Sequence, residues 1–273
     1  MKKLPVGLQL YSVREEAEKD LSKTLKKVKE VGYDFVELAG LCGKSFAEMK
    51  NALDEAGIPA ISAHVPVMEL EADLENVVAG YAGLGCRYIA LPYLPEDLRP
   101  GKPGFDKVMG LIPGVGKTCK EHGITLLYHN HDFEFARIGG RYALDYIYET
   151  VPPELLQTEI DCCWVKVAGE DPADYVRKYA GRCPVVHLKD FYMEGRPQNM
   201  YELIGIETAG KEEKEGRFEF RPVGFGMQIM PELLEAAVES GAEYLVVEQD
   251  ASAGRTPVEA VTMSRRYLEL LGF

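Results

Sequence analysis

The sequence predicts an α/β protein built as a single (β/α)8 TIM barrel, and three observations predict it. Apolar runs of strand length alternate with helical patterns of roughly a dozen residues, eight times from end to end, as successive βα units do. The 273 residues contain no linker, low-complexity tract or shift in composition, so one domain spanning 1–273 accounts for them at a length typical of barrel enzymes. An open doubly wound sheet should carry a glycine-rich fingerprint after its first strand. Gln9-Leu10-Tyr11-Ser12-Val13-Arg14 stands there instead.

The first strand is expected over 6–13. Its helix, over 21–31, sets Leu21, Leu25 and Val28 on one face and closes at Gly32, a residue suited to a left-handed C-cap. The second strand, 35–39, is followed by a helix over 46–56 closed by Gly57. The third, 58–65, ends in Ser62-Ala63-His64-Val65-Pro66 and leads to a helix over 70–84 closed by Gly85. The fourth strand is 88–91. The helix after it, 105–122, contains Pro113-Gly114-Val115-Gly116, so a kink or break is expected there. The fifth strand begins with the apolar run 124–127 and carries the chain into Tyr128-His129-Asn130-His131-Asp132-Phe133-Glu134. A short helix over 142–149, a sixth strand over 155–161, a helix over 173–180 and a seventh strand over 185–188 follow. The stretch 191–226 reads as a long irregular loop insertion, with Lys211-Glu212-Glu213-Lys214-Glu215 as its solvated tip. A helix over 231–240, the eighth strand over 244–248 and a closing helix over 257–271 complete the pattern.

Composition narrows the function classes. Hydrophobic residues make up 46% and charged residues 27%, as in an ordinary globular protein. Lys and Arg total 31 against 44 Asp and Glu, a net charge of −13, which argues against a nucleic-acid partner that binds by neutralising phosphates. The six cysteines show no C-x-x-C pair and read as reduced thiols of a cytoplasmic protein. No apolar stretch approaches signal-peptide or membrane length, so no membrane partner is expected.

Chemistry-bearing residues collect at strand ends: His64 on the third, His129 and His131 on the fifth, Glu159 and Asp161 on the sixth, His187 and Lys189 on the seventh, Glu248 and Asp250 on the eighth. In a barrel these ends converge on one mouth. In an extended chain His129 and His131 project together and Asn130 projects opposite. A buried array of carboxylates and imidazoles without a cation is costly, because desolvated carboxylates repel one another. A divalent metal removes that cost, and mixed imidazole and carboxylate ligands suit Mn²⁺, Zn²⁺, Co²⁺ or Fe²⁺ better than Ca²⁺. Single residues keep blander alternatives. Asp161 also suits a loop cap, Glu159 an interior barrel position, His64 a bond to a loop carbonyl, and Lys189 a pairing with Glu159 or Asp190. Gly224-Phe225-Gly226 suits either an anion cradle or a tight turn, and Trp164 and Phe133 either stacking on a ligand or packing at the rim.

Tyr-His-Asn-His-Asp-Phe-Glu-Phe (128–135), Glu-Ile-Asp-x-x-Trp (159–164), Val-His-Leu-Lys-Asp (186–190), Val-Gly-Phe-Gly (223–226) and Val-Val-Glu-Gln-Asp (246–250) make the whole chain resemble the sugar phosphate isomerase/epimerase family of the xylose isomerase-like TIM barrel superfamily. The resemblance implies one divalent metal held by two Glu, one Asp and one His, with Mn²⁺ foremost and Zn²⁺, Co²⁺, Fe²⁺ or Mg²⁺ as alternatives. Carried over by motif, Asp161, His187 and Glu248 are expected ligands. Many relatives have Glu-Asn-His where this chain has His129-Asn130-His131. The resemblance aligns His129 with the usual glutamate ligand, but the subfamily's own pattern includes the following Glu134, which is expected to reach back as the fourth ligand, with His129 a ligand or just behind the ligands. His131, Glu248 and Lys189 are the expected catalytic residues, and His64, His129 and Trp164 are expected to contact a small carbohydrate substrate. The implied activity is isomerisation or epimerisation of a keto sugar or polyol-derived ketone through an enediolate. The alternatives are a lyase or dehydratase using the same intermediate, including cleavage of an oxidised glycoside, or a noncatalytic binding subunit. An endonuclease IV-type repair enzyme is disfavoured by five histidines and the acidic charge. Barrels of this family often form homo-oligomers.

Overall fold

A computed structural model describes residues 3–195, 200 and 216–273. Eight parallel strands, Val6–Gln9, Phe35–Ala39, Ala60–His64, Tyr88–Leu91, Thr125–His129, Gln157–Asp161, Val185–Leu188 and Tyr244–Val247, pair in chain order. The eighth closes on the first, with Val6 opposite Leu245. The expected (β/α)8 barrel is thus present, and no helix among the described residues is long and apolar enough to cross a membrane.

Several helices begin and end where their chemistry dictates. Asp20 accepts from the Lys23 amide at the start of Leu21–Val31, and Gly32 closes that helix with φ of 104°. Ser45 and Glu48 form a reciprocal cap on Phe46–Ala56, as Thr256 and Glu259 do on Pro257–Leu270. The helix expected over 70–84 divides at Asp73 into Val67–Ala72 and Leu74–Leu84. The break expected at Pro113 is absent: Phe105–Glu121 runs as one helix. Gly116 has a packing role instead, since a Cβ there would stand 2.1 Å from the Leu155 carbonyl oxygen.

The insertion after the seventh strand also departs from expectation. Asp190–Gly195 pairs antiparallel with Gly216–Arg221, Phe191 opposite Phe220 and Met193 opposite Phe218. That period-two apolar face lies on Cys163 and Trp164, burying Phe191 and Phe220. The charge run 211–215 lies outside the described residues.

Inside the barrel, Phe35, Tyr88, Leu127, Val185 and Val246 form an apolar layer. Gly7 makes room for it, because a Cβ there would meet the Phe35 ring at 2.1 Å. Toward the C-terminal ends of the strands the interior becomes polar.

Candidate active site and metal centre

The strand register assembles the polar end. Gln9 lies beside Glu37, Glu37 beside Ser62, His129 beside Glu159, and Asp161 beside His187. Glu37 and Glu159 are wholly buried. Glu37 Oε1 stands 2.7 Å from His187 Nε2 and 3.0 Å from His64 Nε2 and accepts from the Gln9 amide at 2.8 Å; its other oxygen accepts from the Ser62 hydroxyl. Glu159 Oε1 lies 2.7 Å from His64 Nε2, 3.0 Å from His129 Nδ1 and 3.1 Å from His187 Nε2. Burial opposes ionisation of both carboxyls, yet His64 and His187 outweigh it. Glu37 is held well below the usual carboxylate range and Glu159 at about 2. Burial equally opposes a charged His64, but Glu37 and Glu159 carry it up to about 10.

Nearer the mouth, His129 Nε2 is 3.7 Å from Asp161 Oδ2, and His187 Nδ1 is 3.1 Å from Glu248 Oε2. One donor atom from each of His129, Asp161, His187 and Glu248 lies within 4.8 Å of the others. His64, His129, Glu159 and His187 form a second such grouping. Asp161 performs the capping task its sequence context allowed and also stands in the donor set. Its Oδ1 accepts from the amides of Cys163 (2.7 Å) and Trp164 (3.2 Å), capping the helix Cys162–Val167. Its Oδ2, like Glu159 Oε2, is buried and accepts no hydrogen bond. Such an oxygen is expensive unless a cation meets it. Two imidazoles and two carboxylates, one with an orphaned oxygen, fit a divalent transition ion.

Lys189 is the fixed cation beside this cluster. Its Nζ lies 2.8 Å from Asp250 Oδ2, 3.1 Å from Glu248 Oε2 and 3.6 Å from Asp161 Oδ2, and 5.1 Å from the centre of the Trp164 ring. It pairs with neither Glu159 nor Asp190. Burial disfavours its charge, but Asp250, Glu248 and Asp161 more than restore it. Burial likewise opposes ionised Glu248, and Lys189 and His187 hold it well below the usual range.

A cavity of about 330 Å³ opens over these groups, lined among others by Tyr11, His64, Tyr93, His129, His131, Lys189, Glu248 and Asp250. His131 stacks on Phe133, with ring planes 1° apart and centroids 5.3 Å apart, and meets the Tyr93 ring edge-on. Burial and the nearby Lys189 push its pKa well below the ordinary histidine value, so the ring is neutral at pH 7.

Two expected site residues stand elsewhere. Glu134 lies outside both groupings: it accepts from the Tyr128 hydroxyl at 2.7 Å and the His131 amide at 2.8 Å, in the turn Phe133–Phe135. Those bonds hold the loop that carries His131. Trp164 is fully buried, stacked on Phe218 behind the cavity, and is not among the residues lining it. The Gly224-Phe225-Gly226 turn does cradle an anion, but it is the protein's own Asp190. Asp190 Oδ2 accepts from the amides of Gly224 and Gly226 at 3.0 Å each.

Glu37, Gln9 and Ser62 went unnoticed in the sequence reading. The signal was a Glu in the middle of Phe35-Val36-Glu37-Leu38-Ala39, two residues after an interior-facing Phe.

The sequence model described as xylose isomerase-like TIM barrel matches residues 25–269. An inosose dehydratase from Geobacillus kaustophilus (strain HTA426) is 24% identical over 190 residues, 62% of this chain and 61% of that protein, so the match spans about three fifths of the relative's length. A sugar phosphate isomerase/epimerase from Parabacteroides distasonis ATCC 8503 superposes with a TM-score of 0.77 at 24% identity, covering 98% of each chain. The IOLI protein with a binding zinc atom superposes at 0.68 and 14% identity, covering 97% of this chain and 96% of that one.

Proposed function

The chain belongs to the xylose isomerase-like TIM barrel family, and from that premise we propose that it is a metal-dependent isomerase or epimerase acting on a keto sugar or polyol-derived ketone. The observation that carries this reading is a neutral His131 lining the same cavity as His129 and Glu248, two members of the His129, Asp161, His187 and Glu248 donor set. In the proposed site those four residues hold one divalent ion, with Mn²⁺ foremost, and His129 takes the place the sequence reading assigned to Glu134. When bound, the ion supplies Lewis-acid stabilisation of negative charge on the substrate's adjacent oxygens.

The chain's own residues perform the rest. His131 Nε2 or Nδ1 takes the proton from the carbon beside the ketone, which a neutral imidazole can do and an imidazolium cannot. The electrons left behind form an enediolate. Returning the proton to the neighbouring carbon gives isomerisation; delivery of a proton to the opposite face of the same carbon by a second acid, with His131 keeping the one it took, gives epimerisation. Lys189 balances the clustered negative charge of Glu248, Asp250 and Asp161 and presents an ammonium to a substrate oxygen at the cavity wall. Stacking on Phe133 and the bond from its amide to Glu134 fix where His131 stands.

The match to an inosose dehydratase supports a second reading, in which the same enediolate expels a β-hydroxyl and the enzyme is a lyase. One experiment separates the readings. The metal-loaded protein is incubated in D₂O with a panel of keto sugars and inososes and followed by NMR. Deuterium appearing at the carbon beside the ketone with no change in composition supports isomerase or epimerase chemistry. Loss of water from the substrate supports the lyase. No exchange with any ketone would refute the enediolate mechanism.

A further inference from the structure

The buried carboxylate Glu159 touches three imidazoles but has no part in the chemistry above. Its strand runs two residues further to Asp161, so Glu159 shares a face with that residue one layer deeper in the barrel. Its Oε1 meets Nδ1 of His129 and Nε2 of His187, the nitrogens on the far side of each ring from Asp161 Oδ2 and Glu248 Oε2 respectively. The hydrogen bond made by one imidazole nitrogen decides which tautomer exposes a lone pair at the other.

We propose that Glu159 is a positioning residue, whose Oε1 holds His129 in the Nδ1–H tautomer and braces His187 through Nε2, so that His129 Nε2 and His187 Nδ1 are the nitrogen donors of the cation site. This rests on the ligand set proposed above. Glu37 shares the brace on His187 and His64, but no contact joins it to His129 among the described residues. The tautomer of His129 is therefore assigned to Glu159 alone. Asn130 assists from the other face: it accepts from the Asp161 amide at 3.0 Å and donates to the Asp161 carbonyl, tying the fifth and sixth strand ends together.

The test has two readouts. Ring ¹⁵N NMR of the metal-free full-length protein reports the His129 tautomer, and competition against a chromogenic chelator reports the affinity for Mn²⁺ and Zn²⁺. The expected result is a protonated Nδ1 on His129 in the wild type, lost in Glu159→Leu, which has no acceptor, and kept in Glu37→Gln. Glu159→Leu should bind metal about 10- to 100-fold more weakly, with the fold checked by circular dichroism. A His129 protonated on Nε2 in the wild type overturns the proposal without any variant. Unchanged tautomer and affinity in a folded Glu159→Leu overturn it too, while leaving the ligand set intact. A wild-type protein that binds neither metal removes the ligand set and the positioning role together.

Discussion

His131 and Glu134 sit three residues apart, and their environments give them opposite tasks. Burial keeps the His131 ring neutral at pH 7 and it lines the cavity, so His131→Ala should lower solvent exchange of the substrate proton about 10²- to 10⁴-fold. Metal content by elemental analysis should be unchanged in that variant; exchange that survives would remove His131 as the base. Glu134 lies outside the donor set, its oxygens taken by the Tyr128 hydroxyl and the His131 amide. Glu134→Gln should keep about one divalent ion per chain, whereas His129→Gln and Asp161→Asn should lose it, as their places in the donor set require. Metal lost from Glu134→Gln but kept by His129→Gln would restore the sequence-based assignment. Burial also pushes the Glu134 carboxyl up to about 8 from 4.5, the donors Tyr128 and His131 offsetting only part of it. Between those values the folded chain keeps a proton that the unfolded chain has lost. Stability from this group is therefore full below pH 4.5 and falls as pH rises toward 8. Urea midpoints at pH 5 and pH 8 should fall in the wild type by an amount worth a few kcal/mol at most, and by less in Glu134→Gln.

Gly116 and Gly7 are among the places where a hydrogen in place of a side chain lets neighbouring segments approach. Gly116 lets the helix Phe105–Glu121 lie against the Leu155 carbonyl, and Gly7 lets the first strand pass the Phe35 ring. Gly116→Ala should cost about 1–3 kcal/mol by forcing backbone apart. At Gly7 the obstacle is a side chain, so Gly7→Ala should cost a similar amount and be partly rescued by Phe35→Leu. Denaturant unfolding of the single and double variants measures both; no rescue at Gly7 would show that the Phe35 ring is not the obstacle. The antiparallel ribbon after the seventh strand has its own reason. Phe191, Phe218 and Phe220 cover Trp164, and Trp164 in turn lies under the Lys189 ammonium.

The barrel as a whole gathers the carboxylates of Glu37, Glu159, Asp161, Glu248 and Asp250 into one polar end, with Lys189, His64 and His187 as the neighbouring positive partners. A divalent ion bound at the proposed site would relieve the remaining repulsion only in the folded chain, which would link metal binding to folding. Chelation should lower Tm and reloading with Mn²⁺ should restore it, by about 2.7 kcal/mol at an ion concentration a hundred times Kd. A Tm indifferent to chelator and Mn²⁺ would contradict a cation at this site.

Eight strands, and most of the helices between them, could be placed from the chain because hydrophobic period and glycine caps are local properties, whereas the short helices Arg14–Lys19 and Cys162–Val167 were not. So could the convergence of His64, His129, His131, Asp161, His187, Lys189 and Glu248, since a parallel barrel brings all its strand ends to one mouth. Partnership at that mouth is another matter. Glu37 meets His187 across 150 positions, and Lys189 meets Asp250 across 61, through strand register and side-chain direction that no window of sequence contains. For the same reason Glu134, a carboxylate in the right motif, turned out to face Tyr128, and Gly224 and Gly226 to serve Asp190. Residue type and period are written along the chain, whereas the pairing of charges is settled by the closure of the barrel, which sets the few ångströms on which buried electrostatics depends.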